Sequence, residues 1–316
     1  MEEKLRREAK ALLAGGKVAR LIGYAPGSLK FTTTPLITGE TDEADLLVIS
    51  PFIDNNLSVY LGRGQGRTAI VAKGCDSRAI VNLIQEKQVN REDLFIFGVP
   101  CTGIIDVRRV ESLTGMERDD IDAITREGDK VTVTIDGKAQ TFPAGDVLRE
   151  DCLGCESPVP REYDVLLGEA APAVQDADAG RKRLKELEIL PPAERWQFWQ
   201  DEFRRCIRCY ACRQVCPACF CERCFIEESE PRWLSPVPHW PDNLLFQLTR
   251  VLHTAGRCTD CGECERACPA DIPLRALTRS MADAVTELFD YHPGTDITKP
   301  PLMTAYQSEE TGDLFR

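Results

Sequence analysis

Residues 205–224 read RCIRCYACRQVCPACFCERC, and residues 257–269 read RCTDCGECERACP. Within them Cys206, Cys209, Cys212 and Cys216-Pro217 follow the spacing C-x2-C-x2-C-x3-C-P. Cys258, Cys261, Cys264 and Cys268-Pro269 repeat it without change. Two-residue spacers wrap three thiolates round one cubane, and the chain then enters a helix that carries the fourth thiolate to the neighbouring one. The spacing assigns Cys206, Cys209, Cys212 and Cys268 to one [4Fe–4S] cluster, and Cys258, Cys261, Cys264 and Cys216 to a second. Zinc is the alternative for so many thiols, but it takes paired C-x2-C hooks rather than four-cysteine runs ending in Cys-Pro.

Working outward, residues 193–290 read as a mainly α-helical, dicluster ferredoxin-like domain. A helix through AERWQFWQDEFRRC leads into the first run, and one through IPLRALTRSMADAVTELFDY follows the second, with Pro273 suited to its first turn. Charged residues ending in Pro191-Pro192 mark a linker over 173–192. Residues 291–316 form an extended tail lying on a partner or on the chain itself.

Residues 1–172 have a different pattern. Leu5, Ala9, Leu12 and Leu13 recur at helical spacing over 2–14, before Gly15-Gly16. Strands are predicted at KVARLIGY (17–24), ADLLVIS (44–50), RTAIVAKG (67–74) and DLFIFGVP (93–100), with a helix through SRAIVNLIQEKQ between the last two. This order indicates an α/β domain with a mostly parallel sheet. Between 122 and 150 the alternation in AITREGDKVTVTIDGKAQTF and the Asp136-Gly137 turn add a β-hairpin, placed at the sheet's edge or cluster side.

The composition sets limits. A chain of 316 residues, 43% hydrophobic, has length for about two domains with a sizeable core. Its net charge of −12 and lack of a basic stripe give no sign of nucleic-acid binding. No apolar run approaches the roughly 20 residues of a membrane span. The amphipathic start MEEKLRREAKALL is no secretion signal, so the expected location is the cytoplasm. Fifteen cysteines in that compartment indicate metal ligation rather than disulfides.

Cys75 follows one predicted strand and Cys101 another. If the strands are parallel neighbours, both thiols sit at the carboxyl edge of the sheet, where open α/β sheets place ligands. Cys152 and Cys155 add a C-x2-C hook. The four together suit a third [4Fe–4S] cluster; buried thiols beside an incidental hook are the bland alternative. Cys219, Cys221 and Cys224 remain. With His239 or His253 they would make a Cys3His zinc site; a fourth cluster or free thiols packed beside the others are the competing readings. GSLKFTTTP at 27–35 and Lys73-Gly74 read as loop and strand-end residues, with phosphate contact as the alternative. Trp196, Trp199, Trp233 and Trp240 read as packing or interface residues, and His292 receives no role. No Ser-His-Asp or paired-carboxylate arrangement is present.

KGCDSRAI, GVPCTGIID and DCLGCESPVPREYDVLLGE, followed by the dicluster module, resemble the beta-subunit family of deazaflavin (coenzyme F420)-reducing hydrogenases and formate dehydrogenases. The ferredoxin half is also similar to the iron–sulfur subunit of heterodisulfide reductases. The resemblance covers most of residues 17–290. It implies an electron-transfer subunit of a multi-subunit oxidoreductase, with a cluster in the α/β domain. Expected partners are a heterodisulfide-reductase-type flavoprotein, a hydrogenase or a formate dehydrogenase. Several members bind FAD; this chain has no G-x-G-x-x-G fingerprint, so FAD stays an open expectation. Two other functions compete with the relay: a flavin-dependent reductase of a deazaflavin or related cofactor, and a redox-silent metal-stabilised scaffold.

Overall fold

Strand β3 (Thr68–Ala72), buried at every position, is the centre of a five-stranded sheet. The computed structural model describes residues 1–63, 66–170, 176 and 178–304. The chain begins with α1 (Glu2–Ala14), which buries Leu5, Ala9 and Leu12 on one face, as a 3.6-residue period dictates. Next come β1 (Arg20–Pro26) and β2 (Thr33–Thr38), then β3, α2 (Gly74–Gln85) and β4 (Leu94–Gly98). The sheet order is β2-β1-β3-β4-β8, where β8 is the short Val165–Leu166. β1, β3, β4 and β8 are parallel, and β2 alone runs antiparallel. The near-continuous apolar run of β3 is what a strand covered on both faces requires.

Two expectations are corrected here. ADLLVIS is not a strand: Asp42–Leu46 forms a 3-10 turn and the chain then runs on outside the sheet. Ala44 and Leu47 are fully buried while Leu46 is half exposed, so burial recurs at three residues rather than two. The edge position belongs instead to β2, drawn from the threonine-rich stretch read as a loop. Its β-branched residues suit a strand, and Pro35 is tolerated because the strand is an edge.

The second β region is larger than a hairpin. β5 (Ala123–Glu127), β6 (Lys130–Ile135) and β7 (Lys138–Pro143) form a separate antiparallel meander. Asp136 and Gly137 make the β6–β7 turn with φ of 49° and 72°. Ile124, Val131, Val133 and Ile135 do not join the main sheet's core. They pack with α3 (Val107–Thr114), α4 (Ala144–Val147) and α5 (Glu150–Leu153) in a core of their own.

The segment read as a linker lies partly outside the described residues, and the rest contains α6 (Lys182–Glu188), with Leu184 and Leu187 buried. Then follow α7 (Pro192–Arg205), α8 (Ala211–Gln214), α9 (Trp240–His253), α10 (Glu263–Arg266) and α11 (Leu274–Phe289). Phe203, Phe246, Leu234, Ile272 and Leu274 form a third core together with Cys206 and Cys212. Trp199 stacks on Phe203 at 5.5 Å, and Trp196 meets Trp240 edge-on at 6.5 Å. After Tyr291 the chain crosses back over α2. Arg78 donates to the Pro293 carbonyl at 2.8 Å, and Gln85 to those of Asp296 and Lys299 at 2.8 and 2.7 Å. The tail beyond 304 lies outside the described residues. Among the described residues no helix is long and apolar enough to cross a membrane.

Candidate metal centres

The two cysteine runs share a backbone as well as a spacing. Arg208 and Tyr210, two and four residues after Cys206, have φ of 50° and 61°. Asp260 and Gly262, at the same positions after Cys258, have φ of 56° and 70°. In each run a one-turn helix, α8 or α10, starts at the next residue. Alternating left-handed residues turn successive amides to one side. The result is N–H donation to sulfur: Arg208 to Cys206, Ala218 to Cys216, Asp260 to Cys258 and Glu263 to Cys261. Gly262 is required twice over. Besides its φ, a Cβ there would stand 2.6 Å from the Asp151 carboxyl carbon.

Each run's last cysteine crosses to the other run. Cys206, Cys209, Cys212 and Cys268 line one cavity with Phe246, Gln247 and Leu274. Cys258, Cys261 and Cys264 all lie within electrostatic range of Cys216. Burial pushes the Cys258 thiol up to about 11, with Asp260 adding to it. Cys264 is pushed up further, again chiefly by burial. A set of buried thiols fed by amide donors is chemically a soft-metal or cubane donor set.

The α/β cysteines converge as well. β3 and β4 pair in parallel with Ala72 opposite Gly98, so the chain leaves both strands at the same edge. Cys75 lies in the first turn of α2 and Cys101 just after β4. Cys152 sits on α5, and Cys155 in the turn after it. All four line one cavity, together with Lys73, Gly74 and Arg78. Ile104 N–H donates to Cys152 Sγ at 3.4 Å, and Gly103 and Ser157 amides serve Cys101 and Cys155. Burial raises all four thiols, Cys155 to about 11. Gly74 lets the strand end approach the hook, since a Cβ there would lie 1.6 Å from the Ser157 carbonyl oxygen. These four also fit a cubane by the chemistry of the donor set.

That cavity is closed on its far side by Thr259, Asp260 and Cys261 of the second run. The two domains therefore meet at thiols. Arg149, beside the hook, holds the junction: it donates to Asp151 at 3.0 Å, Glu263 at 3.2 Å, the Cys261 carbonyl at 3.1 Å and the Asp54 carbonyl at 3.2 Å. Burial works against its charge, but Asp151 and Glu263 outweigh it and hold the guanidinium firmly protonated. Sequence reasoning gave Arg149 no role; the available signal was a basic residue just ahead of a C-x2-C hook. Lys73 and Gly74 line the quartet cavity and Phe31 and Thr32 line another, but the lysines of both stretches are engaged within the protein. Lys73 Nζ donates to Asp76, the Asn55 carbonyl and Tyr24, and Lys30 Nζ to the Asp119 and Ile121 carbonyls.

The three remaining cysteines occupy different settings. Cys219 accepts a hydrogen bond from Cys216, which lowers its pKa. Cys221 is exposed. Cys224 opens a 3-10 turn, its amide donating to Glu227 at 2.8 Å. Phe220, between the first two, packs on the α/β core, with Arg257 over its ring at 5.2 Å. His239 pairs with Asp242 at 3.2 Å, whereas the His253 ring lies 6.2 Å from that of Phe225, next to Cys224. Among the described residues no three His, Cys, Asp or Glu side chains are gathered to hold a single metal ion. Cubane ligands, by contrast, stand apart around a four-iron body.

A further cavity of about 340 Å³ shares Asp54, Arg149 and Asp151 with the α/β cysteine cavity. Phe31 and Phe52, rings 5.5 Å apart, line it with six arginines that include Arg109, Arg118 and Arg149.

Comparison with known proteins agrees with these motifs. Residues 202–272 match the 4Fe-4S dicluster domain, and residues 65–185 match the C terminus of the coenzyme F420 hydrogenase/dehydrogenase beta subunit. The F420-dependent formate dehydrogenase subunit beta of Methanocaldococcus jannaschii is 28% identical over 289 residues, covering 75% of this chain and 76% of its own. Formate dehydrogenase 1 subunit beta of Methanococcus maripaludis, also F420-dependent, is 27% identical over 294 residues, covering 75% of each. A chain of the F420-reducing [NiFe] hydrogenase complex from Methanosarcina barkeri aligns over 64% of this chain and 84% of its own, at 14% identity and a TM-score of 0.37. The chain thus carries a domain at 65–185 similar to the C terminus of the coenzyme F420 hydrogenase/dehydrogenase beta subunit, followed by a 4Fe-4S dicluster domain.

Proposed function

We propose that this chain is the electron-relay subunit of a multi-subunit oxidoreductase linked to deazaflavin, hydrogen or formate chemistry. The ligand sets are Cys75, Cys101, Cys152 and Cys155; Cys258, Cys261, Cys264 and Cys216; and Cys206, Cys209, Cys212 and Cys268. When bound, such clusters carry single electrons over a wide range of potentials. One observation carries the reading: Cys261 lines the cavity of the α/β quartet, and Cys264 of the same run lies within electrostatic range of Cys212 in the other. The protein's own part is to hold the thiols, supply amide donors to them and fix the junction through Arg149. The named relatives support a hydrogenase or formate dehydrogenase partner, and the resemblance to heterodisulfide-reductase subunits supports a flavoprotein at the other end. Fifteen free thiols suit a reducing cytoplasm. Among the described residues Cys219, Cys221 and Cys224 are not gathered for a single metal ion, which leaves a multi-iron body or free thiols beside the clusters as their readings. The test is anaerobic iron and sulfide analysis of the purified chain, expected near about twelve irons by four-iron stoichiometry. Dye reduction after a one-electron reductant should accompany it. A value near about eight irons removes the α/β cluster, and redox-silent clusters would favour the scaffold.

A second reading, that the chain is a flavin-dependent reductase, rests on the arginine-lined cavity. Its volume lies at the lower end of ligand sites, and Arg109 and Arg118 would face the phosphates. Stoichiometric flavin released by acid from the purified chain, with turnover of hydrogen, formate or reduced deazaflavin without partners, would favour it over the relay.

A further inference from the structure

Helix α9 buries three polar residues beside Phe246 and Val251. Leu245, Leu248 and Leu252 are 42–57% exposed on its outer face, while Asn243, Gln247 and Arg250 are at most 4% exposed on its inner one. Polar groups are buried where they have partners, so this face indicates what it meets. Asn243 Nδ2 donates to the carbonyls of Phe203 and Cys206, each at 2.8 Å, and so fixes the entry to the first run. Gln247 Nε2 lies 4.0 Å from Cys206 Sγ and 3.9 Å from Cys212 Sγ, and its Oε1 accepts from Arg250 Nε at 3.2 Å. Arg250 Nη2 is buried with no hydrogen-bond partner in the protein. Burial works against the charge of this guanidinium, yet it stays protonated. Within its electrostatic range are four cysteines, Cys264, Cys212, Cys216 and Cys219, which become its countercharge when they are ligated as thiolates.

We propose that Arg250 is a shared positioning cation that sets the reduction potentials of both ferredoxin-type centres together. The inference rests on the relay reading above. Cys212 belongs to one ligand set and Cys216 and Cys264 to the other, so a single charge stands between the two. A buried cation is strongly unfavourable unless it is paired. Thiolate-ligated cubanes are anionic, and one-electron reduction adds negative charge. Coulomb attraction to the guanidinium therefore favours the reduced form at both sites. Because one residue serves both, their potentials move in the same direction and the step between them stays level. Gln247, polarised by Arg250 and aimed at Cys206 and Cys212, adds a donor on the first site only.

The experiment is an EPR-monitored redox titration of the full, cluster-replete chain, with iron and sulfide measured first. A wild-type chain without two ferredoxin-type centres would overturn the relay reading and this one with it. Given those centres, Arg250→Met should lower both potentials. At fixed poise the reduced-to-oxidised ratio should fall about tenfold, or about 59 mV for a one-electron couple. The centre at Cys75, Cys101, Cys152 and Cys155 should not move, and Arg250→Lys should stay near wild type. Unchanged potentials in a fully loaded Arg250→Met chain, a shift at one ferredoxin-type centre only, or an equal shift in Arg250→Lys would overturn the proposal. If Arg250→Met does not load iron, Arg250→Lys loading at wild-type potentials upholds it. Failure of Arg250→Lys to load as well overturns it, because shape rather than charge would then be what the site needs.

Discussion

Replacing Arg149 with methionine should open the junction between the two domains. The side chain is 9% exposed and makes four hydrogen bonds, two to carboxylates and two to carbonyls on separate segments. Removing one partner from a buried ion pair costs about 3–5 kcal/mol, because the other charge is left behind. Here Glu263 keeps Arg266 at 2.7 Å and Asp151 is partly solvated, which puts the cost near the lower end of that range, about 3 kcal/mol. At roughly 2–4 °C per kcal/mol for a chain of this class, the thermal midpoint should fall by roughly 6–12 °C. The functional readout is separate. With Cys261 no longer held by its carbonyl, the magnetic interaction between the α/β centre and its neighbour should weaken in the EPR spectrum of the reduced chain. Arg149→Lys should recover part of the stability. A methionine variant that melts with wild type and keeps the same spin–spin broadening would refute the claim that Arg149 fixes this junction.

Other outcomes follow from the same geometry. Gly74→Ala places a methyl group 1.6 Å from the Ser157 carbonyl oxygen, so it should lose the α/β centre, seen as a fall from about twelve to about eight irons. Cys75→Ser should lose the same centre and leave the ferredoxin pair's EPR signals intact. Cluster insertion into the apoprotein should become more favourable as pH rises. Burial lifts Cys155 and Cys258 to about 11, so protons must leave when these thiols become ligands. Reconstitution yield that does not increase between about pH 7 and pH 9 would contradict this.

The sequence made some of this legible and left other parts hidden, for physical reasons. The β3–α2–β4 unit was readable because apolar runs bounded by Gly and Pro leave few alternatives. ADLLVIS misled because a run of apolar residues fits a strand or a tight turn equally, and only tertiary packing of Ala44 and Leu47 decides. The strand Thr33–Thr38 looked like a loop because its single proline and threonines carry no alternation. The repeat of the four-cysteine runs was legible, since the same spacing goes with the same left-handed backbone positions in both. Arg250 and Gln247 were not legible, because α9 leaves Leu245, Leu248 and Leu252 outside while it buries polar residues among Phe246 and Val251. Pattern reasoning assigns such a helix the wrong face or no face at all. Arg149 was hidden for a related reason: three of its four partners, on Asp54, Cys261 and Glu263, lie far from it in the sequence.

The return of the chain after Tyr291 has a mechanical consequence. The dicluster region is attached through α6 at one end, and at the other by carbonyls of Pro293, Asp296 and Lys299 clipped to α2. A module fastened at both ends does not swing. For the proposed relay this favours a fixed wire over a shuttle: the distance between the innermost thiol sites is built in, and the partners must come to its two ends.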